Sequence, residues 1–227
     1  MVGIIKKGIA LTEESIQELL DCCEDVAKTD AIIKTAGSNS HGVSIPDYRK
    51  THRVVINQTM IPDTMNELEE WLGNPEVEIG QIDLLEYVEG SYFALHKDTF
   101  SGKKELLELN PKLTELAKQT HLYDREVSSS TLIYTSDNLE GGELCLFEDR
   151  ERNGSQVIDL KVGETVAFPS STFHEVTKIT KGRRVSLVAW FKKRLTHSPL
   201  CVILIVYGGF LWMVYAINYL PAKSAGL

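Results

Sequence analysis

Short apolar or alternating runs, separated by turn residues, follow one another between residues 77 and 191, and this pattern constrains the fold more than any other feature. The candidate strands are Ile82–Tyr87, Tyr92–Lys97, Ser129–Thr135, Glu143–Phe147, Gln156–Leu160, Thr165–Phe168, Phe173–Ile179 and Arg184–Phe191. Glycine-bearing turns such as Gly141-Gly142 separate most of them. About eight short strands in roughly 115 residues predict an antiparallel barrel or jelly roll.

Residues 1–75 carry helical patterns, which we interpret as support for one face of the sheet. Thr12 can cap a first helix with apolar positions at Ile16, Leu19, Leu20, Cys23, Val26 and Ala27. Pro62 can begin a second helix that ends at Gly73. A further helix is predicted over residues 102–119, inside the β-rich core of residues 76–194. The predicted class is therefore mainly β with flanking helices (α+β).

Residues 195–227 are predicted to be a C-terminal membrane anchor. No charged residue occurs from Leu200 to Leu220, and a helix of that length would be about 31 Å long, close to the thickness of a bilayer core. Three basic residues, at 192–194, precede the run, and only Lys223 follows it. This asymmetry predicts a single-pass, tail-anchored protein with a cytoplasmic body. The alternatives are a buried helix or a pair of core strands.

Charge and cysteine content exclude several classes of protein. The chain has 24 Lys and Arg against 32 Asp and Glu, a formal net charge of −8, whereas proteins that bind nucleic acids present basic surfaces to phosphate. No nucleic-acid partner is expected. The four cysteines form no CxxC pair, so neither a zinc ribbon nor a disulfide framework is indicated.

Three residues form a candidate metal site. His96 and Asp98 point to the same side of a strand because side chains alternate along it, and His174 begins another predicted strand. Two imidazoles and one carboxylate are the ligand set that leaves open positions on ferrous iron. Zinc stays an alternative, because the same set occurs in hydrolytic zinc sites.

Arg184, ten residues after His174, is a candidate carboxylate ligand. If Thr180-Lys181-Gly182 forms a three-residue hairpin loop with Gly182 left-handed, positions 174 and 184 share a face and Lys178 lies opposite Arg184. Arg184 could then bind the far carboxylate of a short dicarboxylate that chelates the metal, with the Ser186 hydroxyl beside it. A two-residue loop would turn Arg184 outward and leave Arg183 as the competitor.

The series HxD…GGEL…FPSxxxHEV…GxRxSLxxWF, spanning Ile82–Phe191, resembles the prolyl 4-hydroxylase-type group of Fe(II)/2-oxoglutarate dioxygenases. The resemblance implies a double-stranded β-helix (jelly-roll) core with His96, Asp98 and His174 as the iron ligands. It also implies a 2-oxoglutarate pocket, whose residues would be Tyr87, Tyr134, Arg184 and Ser186, with Trp190 in support. Thr135 and Ser136 follow Tyr134 where the family often has Leu-Asn, which leaves the substrate side of the site open.

The resemblance further implies an oxidoreductase that uses Fe(II), 2-oxoglutarate and O2, with L-ascorbate keeping the iron reduced. The expected reaction is hydroxylation of a C–H bond, with succinate and CO2 as co-products. A peptidyl residue is the expected target, proline first. The alternatives are a hydroxylase of a non-peptide small molecule and a membrane-tethered, non-enzymatic jelly-roll binding module. Repair dioxygenases for alkylated nucleic acid are disfavoured, because their second arginine would stand where this chain has Trp190.

Overall fold

The structure is a computed structural model, and it describes residues 3–25, 28–30, 49–54, 59, 61–99, 125–194, 203–207 and 210–214. The chain divides into two compact units, Met1–Arg194 and Leu195–Leu227. The predicted helix over residues 102–119 lies outside the described residues.

The first unit contains two antiparallel sheets. The seven-stranded sheet has the order β1 (Lys6–Ile9), β10 (Glu164–Pro169), β7 (Arg125–Thr135), β12 (Arg184–Lys193), β5 (Val77–Tyr87), β4 (His52–Val54) and β2 (Lys28–Asp30). The five-stranded sheet has the order β3 (Arg49–Lys50), β6 (Tyr92–His96), β11 (Phe173–Val176), β8 (Leu144–Phe147) and β9 (Gln156–Ile158). A cluster of buried apolar side chains from both sheets, among them Leu85, Leu146 and Val176, fills the space between them.

Two helices cover the outer face of the seven-stranded sheet, as predicted. Helix α1 (Glu13–Asp25) is capped by Thr12, whose hydroxyl accepts a hydrogen bond from the Ser15 N–H at 3.2 Å. Helix α2 (Pro62–Leu72) begins at Pro62 and ends at Gly73, which has a left-handed φ of 67° and donates its N–H to Glu69. Their apolar residues pack on the sheet in a second buried cluster.

Strand β12 lies between the two buried clusters, and its successive side chains point alternately to one side and the other. Val185, Leu187, Ala189 and Phe191 point towards the helices. Arg184, Ser186, Val188 and Trp190 point towards the space between the sheets. Polar side chains therefore enter the interior at one end of a strand that is otherwise apolar.

The second unit differs from the predicted transmembrane helix over residues 200–220. Its described residues form two antiparallel strands, β13 (Ile203–Tyr207) and β14 (Phe210–Val214), with Tyr207 opposite Phe210. The run is rich in β-branched and aromatic residues, which favour strands, and the two residues between the strands are glycines, which suit a hairpin turn. Within the described part of the chain, no helix has both the length and the apolar character to cross a bilayer.

Candidate metal centre

The two candidate histidines lie side by side on neighbouring strands of the five-stranded sheet. His174 on β11 pairs directly with His96 on β6, and their ring centroids are 4.1 Å apart. The register then shifts, because Val176 pairs with Phe93, so that β6 contributes one residue more than β11 over the same stretch. This bulge places Phe93 and His96, three residues apart in the chain, on the same interior face.

Asp98 completes the cluster just beyond the end of β6. Its carboxylate oxygens lie 3.7 Å from Nε2 of His96 and 3.4 Å from Nε2 of His174. Donor atoms that share one ion at about 2.1 Å each must lie within about 4.2 Å of each other, and both pairs do. All three side chains are buried, and one ligand atom from each lies within 4.8 Å of the others.

Backbone carbonyls orient both imidazoles for a metal. Nδ1 of His96 is 2.7 Å from the Ala94 carbonyl oxygen, and Nδ1 of His174 is 2.9 Å from that of Thr172. A carbonyl oxygen can only accept, so each Nδ1 carries the proton, and each Nε2, on the side of Asp98, keeps its lone pair for a metal. This is the tautomer that a metal ligand requires.

The electrostatic environment keeps His96 neutral and Asp98 ionised. Burial lowers the pKa of His96 to about 3, and the neighbouring His174 adds to the effect. Burial alone would raise the pKa of Asp98, but His174, His96 and Arg125 outweigh it and lower that pKa to about 2. At neutral pH the cluster therefore offers a neutral imidazole and a carboxylate, the forms that bind metal.

Hydrogen bonds from β7 and from the turn after β10 support Asp98. The Ser128 hydroxyl bonds to its carboxylate and lies 2.9 Å from the Ser170 hydroxyl. The Asp98 N–H donates to the Ser170 carbonyl oxygen at 3.0 Å. Arg125 stacks on Trp190 at 4.2 Å and donates to Gln81 at 2.7 Å. The carboxylate is thus held from both its backbone and its side chain.

The cluster opens into a pocket between the two sheets. Apolar and aromatic side chains form about half of its lining, and polar or charged side chains form the rest. The lining includes Tyr87, Arg184, Ser186 and Trp190 besides the three metal-site residues. One pocket therefore contains a candidate metal site and a buried guanidinium.

Arg184 lies in this pocket, but the predicted register is wrong. Strand β11 pairs with β6 and β8, whereas β12 pairs with β5 and β7, so residues 174 and 184 belong to different sheets. Gly182 is left-handed, with φ of 88°, as predicted. Arg184 lies opposite Tyr87 on β5, and Lys178 is exposed rather than opposite it. Arg183 leaves the pocket and forms an ion pair with Glu86 at 2.6 Å.

Among the other predicted cosubstrate residues, Tyr87 and Ser186 lie in the pocket. Burial raises the pKa of Tyr87, against the opposing charges of Arg49 and Arg184. Ser186 Oγ and Trp190 Nε1 are buried without a hydrogen-bond partner. Ser186 is two residues from Arg184 on the same face of the strand, and its orphaned hydroxyl fits a ligand with carboxylate oxygens, because unpaired buried polar groups are costly.

Tyr134 does not line the pocket, contrary to the prediction. It pairs with Val185, whereas Ser186 pairs with Leu132, so Ile133 is the extra residue of a bulge in β7. The bulge turns Tyr134 towards the helix-covered face, where it packs on the core and lies under Arg183 at 5.1 Å. Tyr134 therefore supports the Arg183–Glu86 pair rather than a pocket ligand.

Comparison with known proteins decides the family. Residues 82–192, which include every metal-site residue and Arg184, match the family model described as the 2OG-Fe(II) oxygenase superfamily. Residues 82–192 belong to this superfamily. The donor set of two imidazoles and one carboxylate fits the Fe(II) that the family name implies, and Arg184, Tyr87 and Ser186 fit a dicarboxylate.

Curated relatives of this chain include PKHD-type hydroxylases. That of Saccharophagus degradans is 34% identical over 73 residues, which cover 32% of this chain and 31% of the relative. That of Parvibaculum lavamentivorans is 26% identical over 112 residues, which cover 49% and 42%. The chain spans about a third of the length of the first curated relatives it matches.

Two solved prolyl hydroxylases share the fold of this chain. A Pseudomonas putida prolyl-4-hydroxylase superposes with a TM-score of 0.53 at 16% identity, covering 83% of this chain and 92% of the other. A viral collagen prolyl hydroxylase from Paramecium Bursaria Chlorella virus-1 gives 0.51 at 12% identity, covering 83% and 96%.

Sequence reasoning missed four residues around the candidate metal centre. Arg125, Ser128 and Ser170 surround Asp98, and Arg49 lies beside Phe93. The run Ser128-Ser129-Ser130-Thr131 is an unusually polar stretch for a buried strand, and it was the available signal for the first group. No local pattern marks Arg49, because its place depends on pairing with a strand over forty residues away.

Proposed function

We propose that this chain is an Fe(II)- and 2-oxoglutarate-dependent dioxygenase that hydroxylates a C–H bond of a peptidyl residue, with proline the first candidate. Succinate and CO2 are the co-products. One observation carries the proposal: His96, Asp98, His174 and Arg184 line a single pocket between the two sheets.

Different residues of the pocket would have different roles in this reaction. His96, Asp98 and His174 would hold Fe(II), whose chemistry when bound is the activation of O2 for decarboxylation of the keto acid and hydroxylation of the target. Arg184 would bind the far carboxylate of 2-oxoglutarate as a bidentate pair, with the hydroxyls of Tyr87 and Ser186 as further donors. The apolar lining, which includes Leu85, would exclude water from the reacting groups.

The peptidyl target is inferred from the relatives. The curated relatives are hydroxylases, and the two structural neighbours are prolyl hydroxylases. L-Ascorbate is proposed as the reductant that keeps the iron ferrous. A non-peptide small molecule is the alternative substrate class.

Turnover of 2-oxoglutarate tests the proposal. The full chain, supplied with Fe(II), ascorbate and O2, is expected to convert 2-oxoglutarate to succinate, faster when a peptide substrate is present. Mass spectrometry of proline-containing peptides should show the addition of one oxygen atom. Addition to a small molecule alone would favour the alternative substrate class. Failure to bind metal and 2-oxoglutarate together would leave a non-enzymatic binding module.

We also propose that residues 195–227 attach this oxygenase to a membrane, with the body in the cytoplasm. The support is the uncharged run from Leu200 to Leu220 behind three basic residues. The full chain is expected to float with phospholipid vesicles, and Ile205→Lys should weaken flotation because a buried charge is costly in hydrocarbon. Equal flotation of both proteins would contradict this proposal.

A further inference from the structure

Arg49 lies beside the metal centre although it belongs to none of the motifs. It is on β3, at the edge of the five-stranded sheet, directly opposite Phe93. Its guanidinium carbon is 4.5 Å from the centroid of the Phe93 ring. Phe93 lines the pocket and stacks on His96 with centroids 3.6 Å apart. The guanidinium is therefore in contact with a ring that also contacts a metal-site residue.

One edge of this guanidinium is buried and unpaired. The Nε and Nη2 atoms of Arg49 are inaccessible to solvent and have no hydrogen-bond partner. These two nitrogens lie on the same edge of the planar group, and their parallel N–H bonds match the two oxygens of a carboxylate. Buried donors without partners carry a desolvation penalty. We therefore expect this edge to bind a partner that the described residues do not provide.

Another arginine of the same chain shows what this edge binds. Arg152 directs its Nε and Nη2 to Glu175, at 3.3 and 2.7 Å from the Oε2 oxygen. There the carboxylate comes from within the protein, and the pair lies at the surface. At Arg49 the same edge lies beside the pocket, and no carboxylate among the described residues pairs with it.

The charge of Arg49 reaches the pocket. Burial raises the pKa of Tyr87. The positive charges of Arg49 and Arg184 oppose this rise, and the effect of Arg49 is the larger of the two. Among the described residues that line the pocket, Asp98 is the only carboxylate, and the metal would use it. Because Arg184 is assigned to 2-oxoglutarate, the Arg49 guanidinium remains as a second cation that could bind another anion.

We propose that Arg49 binds a carboxylate of the substrate, so that the peptides hydroxylated here carry an acidic side chain or a terminal carboxylate close to the target carbon. The inference rests on the proposed function, because it assigns Arg184 to the cosubstrate and the pocket to catalysis. It adds a substrate class to that site. Arg49 would orient the substrate through a bidentate pair on the side of the pocket formed by Phe93.

A carboxylate probe can test this site before any substrate is known. The full chain is loaded with Mn(II) in place of Fe(II) and saturated with 2-oxoglutarate without O2, and trifluoroacetate is added. Paramagnetic Mn(II) accelerates the fluorine relaxation of any probe bound nearby, and Zn(II)-loaded protein supplies the diamagnetic baseline. We expect enhanced relaxation in the unmodified chain and a loss of about tenfold in Arg49→Gln, as for a lost charge-assisted pair.

Two further variants make the result specific. Lys50→Gln removes the neighbouring exposed cation and should leave the enhancement unchanged. Arg49→Lys keeps the charge without the two-nitrogen edge and should give an intermediate enhancement, which also serves if Arg49→Gln does not fold. Equal enhancement in Arg49→Gln and the unmodified chain, or its absence from the unmodified chain, would overturn the inference.

Binding of Mn(II) and of 2-oxoglutarate is measured first, by the electron paramagnetic resonance signal of the metal and by titration. An unmodified chain that binds neither overturns the proposed function and this inference together. A chain that binds both but shows no Arg49-dependent enhancement overturns only the inference. Enhancement that disappears when 2-oxoglutarate is added places the probe at Arg184 and likewise overturns it.

Discussion

His96 and His174 lie directly opposite each other on neighbouring antiparallel strands, with their ring centroids 4.1 Å apart. Residues opposite each other in such a pair have their side chains on the same face, so the pairing itself brings the two imidazoles together. The chain bends after β6, and this bend brings the Asp98 carboxylate close to both imidazoles. The metal site is thus a property of strand register, held by the hydrogen bonds of the sheet.

Asp98→Ala should abolish both metal binding and turnover, because it deletes the one carboxylate of the cluster. We expect succinate formation to fall at least about a hundredfold, together with the affinity for Mn(II). Asp137→Ala removes an exposed aspartate elsewhere and is the matched control. Retention of full turnover in Asp98→Ala would exclude this metal assignment.

Arg184→Gln should weaken 2-oxoglutarate binding by about a hundredfold, because the buried guanidinium is the group that pairs with the far carboxylate. The change is expected in the KM for 2-oxoglutarate and in its Kd, measured by titration of the Mn(II)-loaded chain. Mn(II) affinity itself should be unchanged.

Arg183→Gln is the matched control for that experiment, because Arg183 points to the other side of the sheet and pairs with Glu86 at 2.6 Å. It should leave the 2-oxoglutarate Kd unchanged. It should also reduce the free energy of unfolding by about 1–3 kcal/mol, because the buried Glu86 carboxylate loses a partner. The reverse result would show that Arg183 binds the cosubstrate.

Ser128→Ala should weaken metal binding by about tenfold or more without removing a ligand, because the Ser128 hydroxyl orients Asp98. The affinity for Mn(II) and the visible spectrum of the Co(II)-loaded chain are the measurements. Thr131→Ala, which removes a hydroxyl 2.7 Å from the Thr165 hydroxyl, lies away from the pocket and should leave both unchanged. Equal affinities for all three proteins would show that Ser128 has no part in holding Asp98.

Acid should destabilise the metal-free protein through His96. The pKa of His96 is about 3 in the folded chain, against an ordinary value of 6.5. Between those values the unfolded state binds the additional proton, so the free energy of unfolding falls as the pH falls below 6.5. We expect a loss of about 2 kcal/mol from this group between about pH 7 and pH 5.

Urea unfolding of the metal-free protein at the two pH values measures this loss. His96→Gln should be less sensitive to acid by the same amount. An identical pH dependence in the two proteins would contradict the neutral, buried state of His96. Bound metal should suppress the effect in the unmodified chain, because it holds the imidazole deprotonated.

The sequence alone determined the β-rich class, the two N-terminal helices and the shared face of Arg184 and Ser186 on their strand. Alternation and capping are local properties, which a few neighbouring residues express whatever the strand later pairs with. For that reason Arg184 and Ser186 could be assigned to one interior face although the hairpin invoked for them does not exist. His96 and Asp98 do come together as predicted, but through the bend that follows β6 rather than through alternation along the strand.

Only the tertiary structure decided which strands are neighbours and where their registers shift. The bulge at Ile133 turns Tyr134 out of the pocket, and the bulge in β6 turns Phe93 into it. Arg49, Arg125 and Ser128 reach the centre from strands that are distant in the chain. Apolar composition likewise left helix and strand open for the C-terminal run. Such outcomes depend on pairing between distant segments, which local preferences do not encode.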